Sequence, residues 1–277
     1  MNRTKFNVYI NKKTIPWNDR GFNYGDGVFE TILIKNNQPI YLKDHIKRMH
    51  AGCSALKILK PKEALIKKSI QSCIGKTNQC VVKIILTRGV SNFGYKIQPD
   101  ITPNIYFFKI KLRRSIIGEK IKLSFSKYHL KDNSQLSKIK HLGRLEQVFV
   151  ANNLQQQKRF NDLIVCDERN NIIECLSSNI FFIKIIGEKF IFYTPKINAC
   201  GIEGIMRNKI IKYLRSANLN INIIEINKKK FNLYDSCFTT NSIQGLNFID
   251  QIDKKKFSKP KLLYNKLKRF IYLNKND

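Results

Sequence analysis

The sequence is short of acid, with 20 Asp and Glu against 51 Lys and Arg, a formal net charge of +31. It has no apolar run of the roughly 18 residues that a spanning helix needs, so no membrane segment is expected. The opening stretch MNRTKFNVYINKK carries charge but no apolar core, which excludes a secretory signal from the reading. The seven cysteines (Cys53, Cys73, Cys80, Cys166, Cys175, Cys200 and Cys237) are odd in number and contain no CxxC pair. Their spacing fits neither a disulfide framework nor a zinc site, and a reduced cytoplasmic protein with inert thiols is the simplest expectation. The four histidines, His45, His50, His129 and His141, form no metal-spaced set, so no metal is expected. A GxxxxGK[ST] loop and a strand–GxGxxG unit are both missing, which removes the common nucleotide-binding folds.

The positive charge by itself would suggest nucleic acid or an anionic membrane as a partner. No RNP, zinc-finger or basic-zipper pattern accompanies it, and the lysines run along the whole chain among many Asn and Ile and a single Trp. That composition points to A/T-rich coding bias, and no specific nucleic-acid or membrane partner is expected. The positive field would still draw in an anionic substrate or a phosphorylated cofactor.

At 277 residues and 43% hydrophobic content the chain can bury a substantial core in one or two domains. Residues 6–10, 28–35, 80–87 and 104–111 read as strands. Asp44 is placed to cap a helix running to about Leu59, with Ile46, Met49, Cys53 and Leu56 on one face, and a second helix is expected after Pro61. The charged, Gly-containing stretch LRRSIIGE (112–119) breaks the pattern, which divides the chain into a smaller α/β domain at 1–112, a linker at 113–119 and a larger domain at 120–277. In that second part Leu142, Leu145, Val148 and Phe149 keep helical spacing, so Lys140 stands just ahead of a helix. Short strands alternate with GIEGIMRNKIIKYLRS (201–216), a Gly-rich turn feeding a helix, and a last helix is expected from about Lys259. Two mixed α/β lobes predict a site in the cleft between them.

Three fragments carry chemistry. Gly201–Gly204 leading into Ile205 and Met206 has the layout of an anion site, with backbone N–H groups at the positive end of a helix; many Gly-containing loops precede helices, so alone it decides nothing. Lys140 lies at a strand-to-helix junction, where side chains commonly enter clefts. Glu174 is an acid inside the apolar stretch IIECLSSNIFF, costly there without a partner, unless it lies at a strand end in water.

Together these and three further segments resemble, in order and over nearly the whole length, the fold-type IV pyridoxal-phosphate enzymes. That family includes branched-chain and D-amino-acid aminotransferases and 4-amino-4-deoxychorismate lyase. The six segments are DRGFNYGDGVFETI (19–32), HIKRM (45–49), KHLGRLEQ (140–147), IIECLSSNIFF (172–182), GIEGIMR (201–207) and TTNSIQGL (239–246). The resemblance implies a mixed α/β, D-amino-acid-aminotransferase-like fold of two domains with pyridoxal 5'-phosphate as cofactor. It implies that Lys140 holds the cofactor and acts as base, that Glu174 faces the pyridine nitrogen, and that Arg48, Ile205, Met206 and Asn241 surround the phosphate. It also implies a homodimer.

Thr31 in FET, and the wording of the 140–147 and 201–207 segments, resemble the lyase branch. The reaction so implied eliminates pyruvate from aminodeoxychorismate to give 4-aminobenzoate in folate biosynthesis. Thr31 would relay a proton or orient Lys140, and an upstream aminodeoxychorismate synthase would supply the substrate. Two residues depart from the pattern: Gly143 stands where the family usually has Asn, and Phe93 where related lyases often have Arg. Arg88 is then the fallback contact for a substrate carboxylate, with a structural role equally open, and Tyr24 and Tyr95 either line the pocket or pack. The alternatives are a branched-chain or D-amino-acid transaminase on the same fold, and a non-catalytic basic binding protein.

Overall fold

The computed structural model describes residues 5–112 and 121–273. The linker expected at 113–119 lies outside the described residues. By compactness the chain divides into two units, the first holding 5–112 together with Ile139–Gly143, the second holding 121–138 and 144–273.

The first unit is built on β1 (Asn7–Ile10), α1 (Arg20–Tyr24), β2 (Gly27–Lys35), β3 (Gln38–Pro39), α2 (Leu42–Ala55), α3 (Glu63–Ile74), β4 (Gln79–Thr87) and β5 (Asn104–Ile110). Its strands pair in the order β1-β5-β4-β2-β3. Alternation along β2 buries Val28, Glu30, Ile32 and Ile34 on one face and leaves Phe29, Thr31 and Leu33 half-buried on the other. The buried face joins Ile46, Met49 and Cys53 of α2 and Ile66, Ile70 and Cys73 of α3 in one core.

Asp44 does not cap α2. The cap position is Tyr41, held at a φ of 54° with no side-chain cap bond, and Asp44 falls inside the first turn, where its charge still complements the helix dipole. The helix ends at Ala55, because Leu56 and Lys57 turn back to bond Gly52 and Ser54, with Lys57 at a φ of 54°.

The second unit contains β6 (Lys122–Leu130), α4 (Leu145–Gln156), β7 (Asp162–Asp167), β8 (Ile172–Cys175), β9 (Asn179–Ile186), β10 (Lys189–Pro195), α5 (Ile205–Ser216) and β11 (Asn220–Ile224). After these come β12 (Ser236–Asn241), β13 (Gly245–Phe248), β14 (Gln251–Ile252), β15 (Lys255–Lys256) and α6 (Lys261–Leu273). They form two sheets, β11-β10-β9-β12-β13 and β15-β14-β6-β7-β8. β6 and β7 are parallel, as are β10 and β11. Parallel neighbours need a crossover, and α4 and α5 lie in those connections. The fully buried run Ile180–Ile183 on β9 reflects its place at the centre of its sheet.

Lys140 stands ahead of a helix as expected, but Leu142 is not part of that helix. Residues 140–142 are extended and add to β2, with Phe29 N donating to Lys140 O at 2.9 Å and Leu142 N to Gly27 O at 2.9 Å. This pairing is why Ile139–Gly143 belongs with the first unit although it lies within 120–277. The helix starts at Leu145, and the spacing of Leu145, Val148 and Phe149 marks an exposed face, while Val150 and Asn153 point to the core.

Candidate functional site

In the first unit the half-buried face of β2 gathers the reactive candidates. The Lys140 ammonium lies 4.3 Å from the centre of the Phe29 ring, a cation–π contact. Thr31 follows two residues later on the same face and pairs in register with Lys83 of β4. The Lys83 ammonium lies 5.6 Å from the same ring. Lys140 and Thr31 are therefore brought to one sheet face, and Lys83 joins them without having been singled out by any motif.

The opposite face of β2 carries a buried ion cluster. His45 and Arg48 are three residues apart on α2 and so share a face. Both meet Glu30, which is 1% exposed. Arg48 donates from Nε and Nη2 to the two carboxylate oxygens, each at 2.7 Å, and His45 Nδ1 lies 2.6 Å from Oε2. Burial alone would raise this carboxyl, but the charges and hydrogen bonds of Arg48 and His45 outweigh it and hold it at about 2. His45 Nε2 is buried without a partner.

Arg88 is committed elsewhere. Its guanidinium bonds Asp26 through Nε at 2.7 Å and Nη2 at 3.0 Å, and the backbone oxygens of Leu56 and Lys57 at 2.6 and 3.0 Å. A buried fork with four bonds is a structural clamp. Arg20 grips the same Asp26 and the carbonyls of Gly94, Tyr95 and Lys96. Burial opposes the Asp26 charge, yet Arg88 and Arg20 together hold its carboxyl below the ordinary range. Tyr24 and Tyr95 lie beside this clamp with ring centres 5.1 Å apart. They are 41% and 86% exposed, so neither packs in the core. Phe93 is exposed on the same loop, which lines a cavity of about 470 Å³ with Val90, Ile97 and Ile101.

In the second unit Glu174, at 6% exposure on β8, accepts Ile202 N at 3.0 Å. The turn it meets is shaped by two glycines. Gly201 has a φ of +86°, and a Cβ there would come 2.5 Å from Ile173 Cγ2. Asn179 fastens the turn at both sides, donating to Ile202 O at 2.9 Å and accepting Gly204 N at 3.1 Å. A Cβ on Gly204 would fall 2.0 Å from the Asn179 oxygen, so only glycine allows this approach. α5 then opens at Ile205 with no side-chain cap, leaving the first N–H groups, including those of Ile205 and Met206, aimed out of the helix end.

Arg207 follows at 4% exposure, bonding Pro195 O at 2.9 Å, with its Nε buried and unpartnered. Asn241 is less available. Its side-chain oxygen accepts Ile243 and Gln244 N–H, and its amide donates to Ser177 O, so the side chain builds the β12–β13 turn.

Among the described residues no group of His, Cys, Asp and Glu could hold a metal. All seven cysteines are free and buried. Burial, joined by the charge of Asp162, pushes the Cys175 thiol well up, so it is no nucleophile. Each unit by itself offers part of what a phosphorylated aromatic aldehyde needs. In the second, an uncapped helix end behind Cβ-free glycines with a buried carboxylate against that turn suits a phosphate and a ring nitrogen. In the first, a lysine amine resting on an aromatic ring suits an aldehyde.

Glu30, Lys83 and Asn179 escaped the sequence reading. Glu30 and Asn179 were legible as polar residues inside apolar strands; Lys83 was hidden among many lysines.

The amino-transferase class IV family profile matches residues 27–252. The chain is 26% identical over 235 residues to an aminodeoxychorismate lyase of Vibrio harveyi, covering 84% of this chain and 85% of that protein. The crystal structure of 4-amino-4-deoxychorismate lyase from Pseudomonas aeruginosa superposes with a TM-score of 0.82 at 24% identity, covering 93% of this chain and 94% of that one. A hypothetical aminotransferase from Mycobacterium tuberculosis in its PLP-bound form gives 0.78 at 13% identity, covering 94% and 95%. The two structures fix the fold as that of the fold-type IV enzymes.

Proposed function

The chain belongs to the amino-transferase class IV family, and on that premise we propose that it is a pyridoxal-phosphate-dependent lyase that converts 4-amino-4-deoxychorismate to 4-aminobenzoate and pyruvate. The observation that carries the lyase reading is Thr31, a hydroxyl on the same sheet face as the Phe29 ring on which the Lys140 amine rests.

When bound, pyridoxal phosphate supplies an electron sink for the substrate carbon that loses its proton. The remaining work belongs to the chain. Lys140 would hold the cofactor, and its Nζ is the base that takes the ring proton of the substrate. Phe29 keeps that amine in place. Thr31 relays a proton to the departing enolpyruvyl oxygen or orients Nζ for the task. Glu174 keeps a proton at the pyridine nitrogen, since a carboxylate beside that atom favours its charged form. Arg48 and the N–H groups of Ile205 and Met206 grip the phosphate, and Asn241 shapes the neighbouring turn. With Arg88 spent on Asp26, Tyr24 and Tyr95 remain as substrate-side contacts from the earlier candidates.

The protein works as a homodimer in the cytoplasm, fed by an upstream aminodeoxychorismate synthase. Unpaired buried thiols suit a reducing compartment, and among the described residues no helix is long and apolar enough to cross a membrane. The exposed apolar face of α4 suits a partner subunit. No sequence-specific nucleic-acid binding is part of this function.

A transaminase acting on branched-chain or D-amino acids is the second reading, favoured by the family's name. Incubation with aminodeoxychorismate decides between them. Pyruvate and 4-aminobenzoate in equal amounts are expected; amine transfer dependent on an added keto acid, without pyruvate release, would replace the lyase by the transaminase.

A further inference from the structure

We propose that Glu30, anchored by His45, is the positioning residue that aims Arg48 at the cofactor phosphate. The inference rests on the proposed function, which gives Arg48 its phosphate. The geometry is bidentate, with Nε and Nη2 of Arg48 each 2.7 Å from a different Glu30 oxygen. A guanidinium is planar, so holding its Nε–Nη2 edge fixes where the rest of the fork points. Arg48 is a long side chain on α2, and without a fixed edge it would lose rotamer freedom on gripping a ligand. Glu30 has met that cost beforehand.

Glu30 sits on a central strand between Val28 and Ile32, both buried. An acid there is unfavourable unless fully satisfied. His45 completes it at 2.6 Å from Oε2 while its own Nε2 stays buried and unpartnered. A ring nitrogen left unsatisfied in a core is a cost, and what offsets it is the bond made by the other nitrogen. The three residues thus act as one unit: His45 holds Glu30, and Glu30 holds Arg48.

A competing effect has the opposite sign. Glu30 is an anion, and its charge reduces the pull of Arg48 on a phosphate. Orientation outweighs it in this proposal, because His45 draws on the same carboxylate.

The test measures affinity of the full chain for pyridoxal 5'-phosphate and for pyridoxal, which lacks the phosphate, in wild type, Glu30→Gln, Arg48→Met and the double variant. The ratio of the two affinities isolates the phosphate contribution from folding. Glu30→Gln should lower that ratio about tenfold, the loss of one charge-assisted bond. The double variant should lose no more than Arg48→Met alone, since residues acting through one contact are not additive. Should Glu30→Gln fail to fold, His45→Asn is the substitute and should lower the ratio in the same direction by less.

A ratio unchanged or raised in the folded variants, or additive losses in the double variant, would overturn the proposal, as a structural role would only lower the melting temperature. Wild type that binds pyridoxal phosphate tightly in those cases leaves the proposed function standing. Wild type that binds neither compound would remove both.

Discussion

At the scale of single residues, Thr31 and Glu30 are adjacent on β2 and face opposite ways. Their separation follows from strand alternation, which puts the hydroxyl on the face of Phe29, whose ring the Lys140 amine overlies, and the carboxylate among core residues. Deleting the hydroxyl with Thr31→Val keeps the shape of a β-branched strand residue. Pyruvate release in a single turnover should then fall by about a hundred- to ten-thousand-fold, the usual contribution of general acid–base assistance. The visible absorbance of bound cofactor, and its trapping by borohydride on Lys140, should persist. Unchanged elimination would take Thr31 out of the mechanism.

Glu30 answers to pH instead. Its carboxyl is held at about 2, below the ordinary 4.5, so the folded protein binds fewer protons there than the unfolded chain between those values. The stabilisation is therefore complete above about pH 4.5 and is lost as the pH falls towards 2. Urea midpoints measured from pH 6 to 2 should drop more steeply in wild type than in Glu30→Gln. Parallel curves would assign acid sensitivity to other groups.

At the scale of elements, the sequence told most where a pattern is local. Apolar and β-branched runs gave β2, β4 and β5, and the Gly-rich turn gave the start of α5. The start of α4 was missed, because helical spacing at Leu142 runs on from Leu145 whereas the backbone of residues 140–142 is taken by β2. That pairing joins positions more than a hundred residues apart, and no local pattern records it. Likewise Arg88 looked available for a substrate because nothing nearby in sequence announces Asp26, Leu56 and Lys57 as its partners. The phosphate turn was legible as glycines but not as a structure tied by Asn179, and that tie can be tested. In Gly204→Ala the added Cβ would fall 2.0 Å from the Asn179 oxygen, so Asn179 must give up its bonds to Gly204 or Ile202. Each buried group left unsatisfied costs about 1–3 kcal/mol. Affinity for pyridoxal phosphate should fall at least about tenfold, with pyridoxal much less affected; equal losses for both would show that the turn does not serve the phosphate.

At the scale of the whole molecule, two properties oppose one another. The exposed face Leu145, Val148 and Phe149, with Phe149 packed at 5.4 Å against the half-exposed Tyr128, favours burial against a second subunit. The net charge of +31 repels that subunit. Charge repulsion between exposed groups is screened beyond about 10 Å at 0.1 M salt, whereas apolar burial is not weakened by salt. Dimerisation should therefore strengthen as sodium chloride is raised from 0.05 to about 0.5 M, read as a falling dissociation constant in sedimentation experiments. Val148→Asp should shift the equilibrium to monomer at every salt concentration, because it buries a charge at the centre of the apolar face. Binding of duplex DNA must run the other way: with charge as its only basis, it should be weak, indifferent to sequence and lost steeply with salt as counterions compete. A dimer that dissociates in high salt would show that ion pairs, and not the α4 face, hold the subunits. Tight, sequence-selective DNA binding at physiological salt would show that the charge serves a partner and is not a by-product of composition.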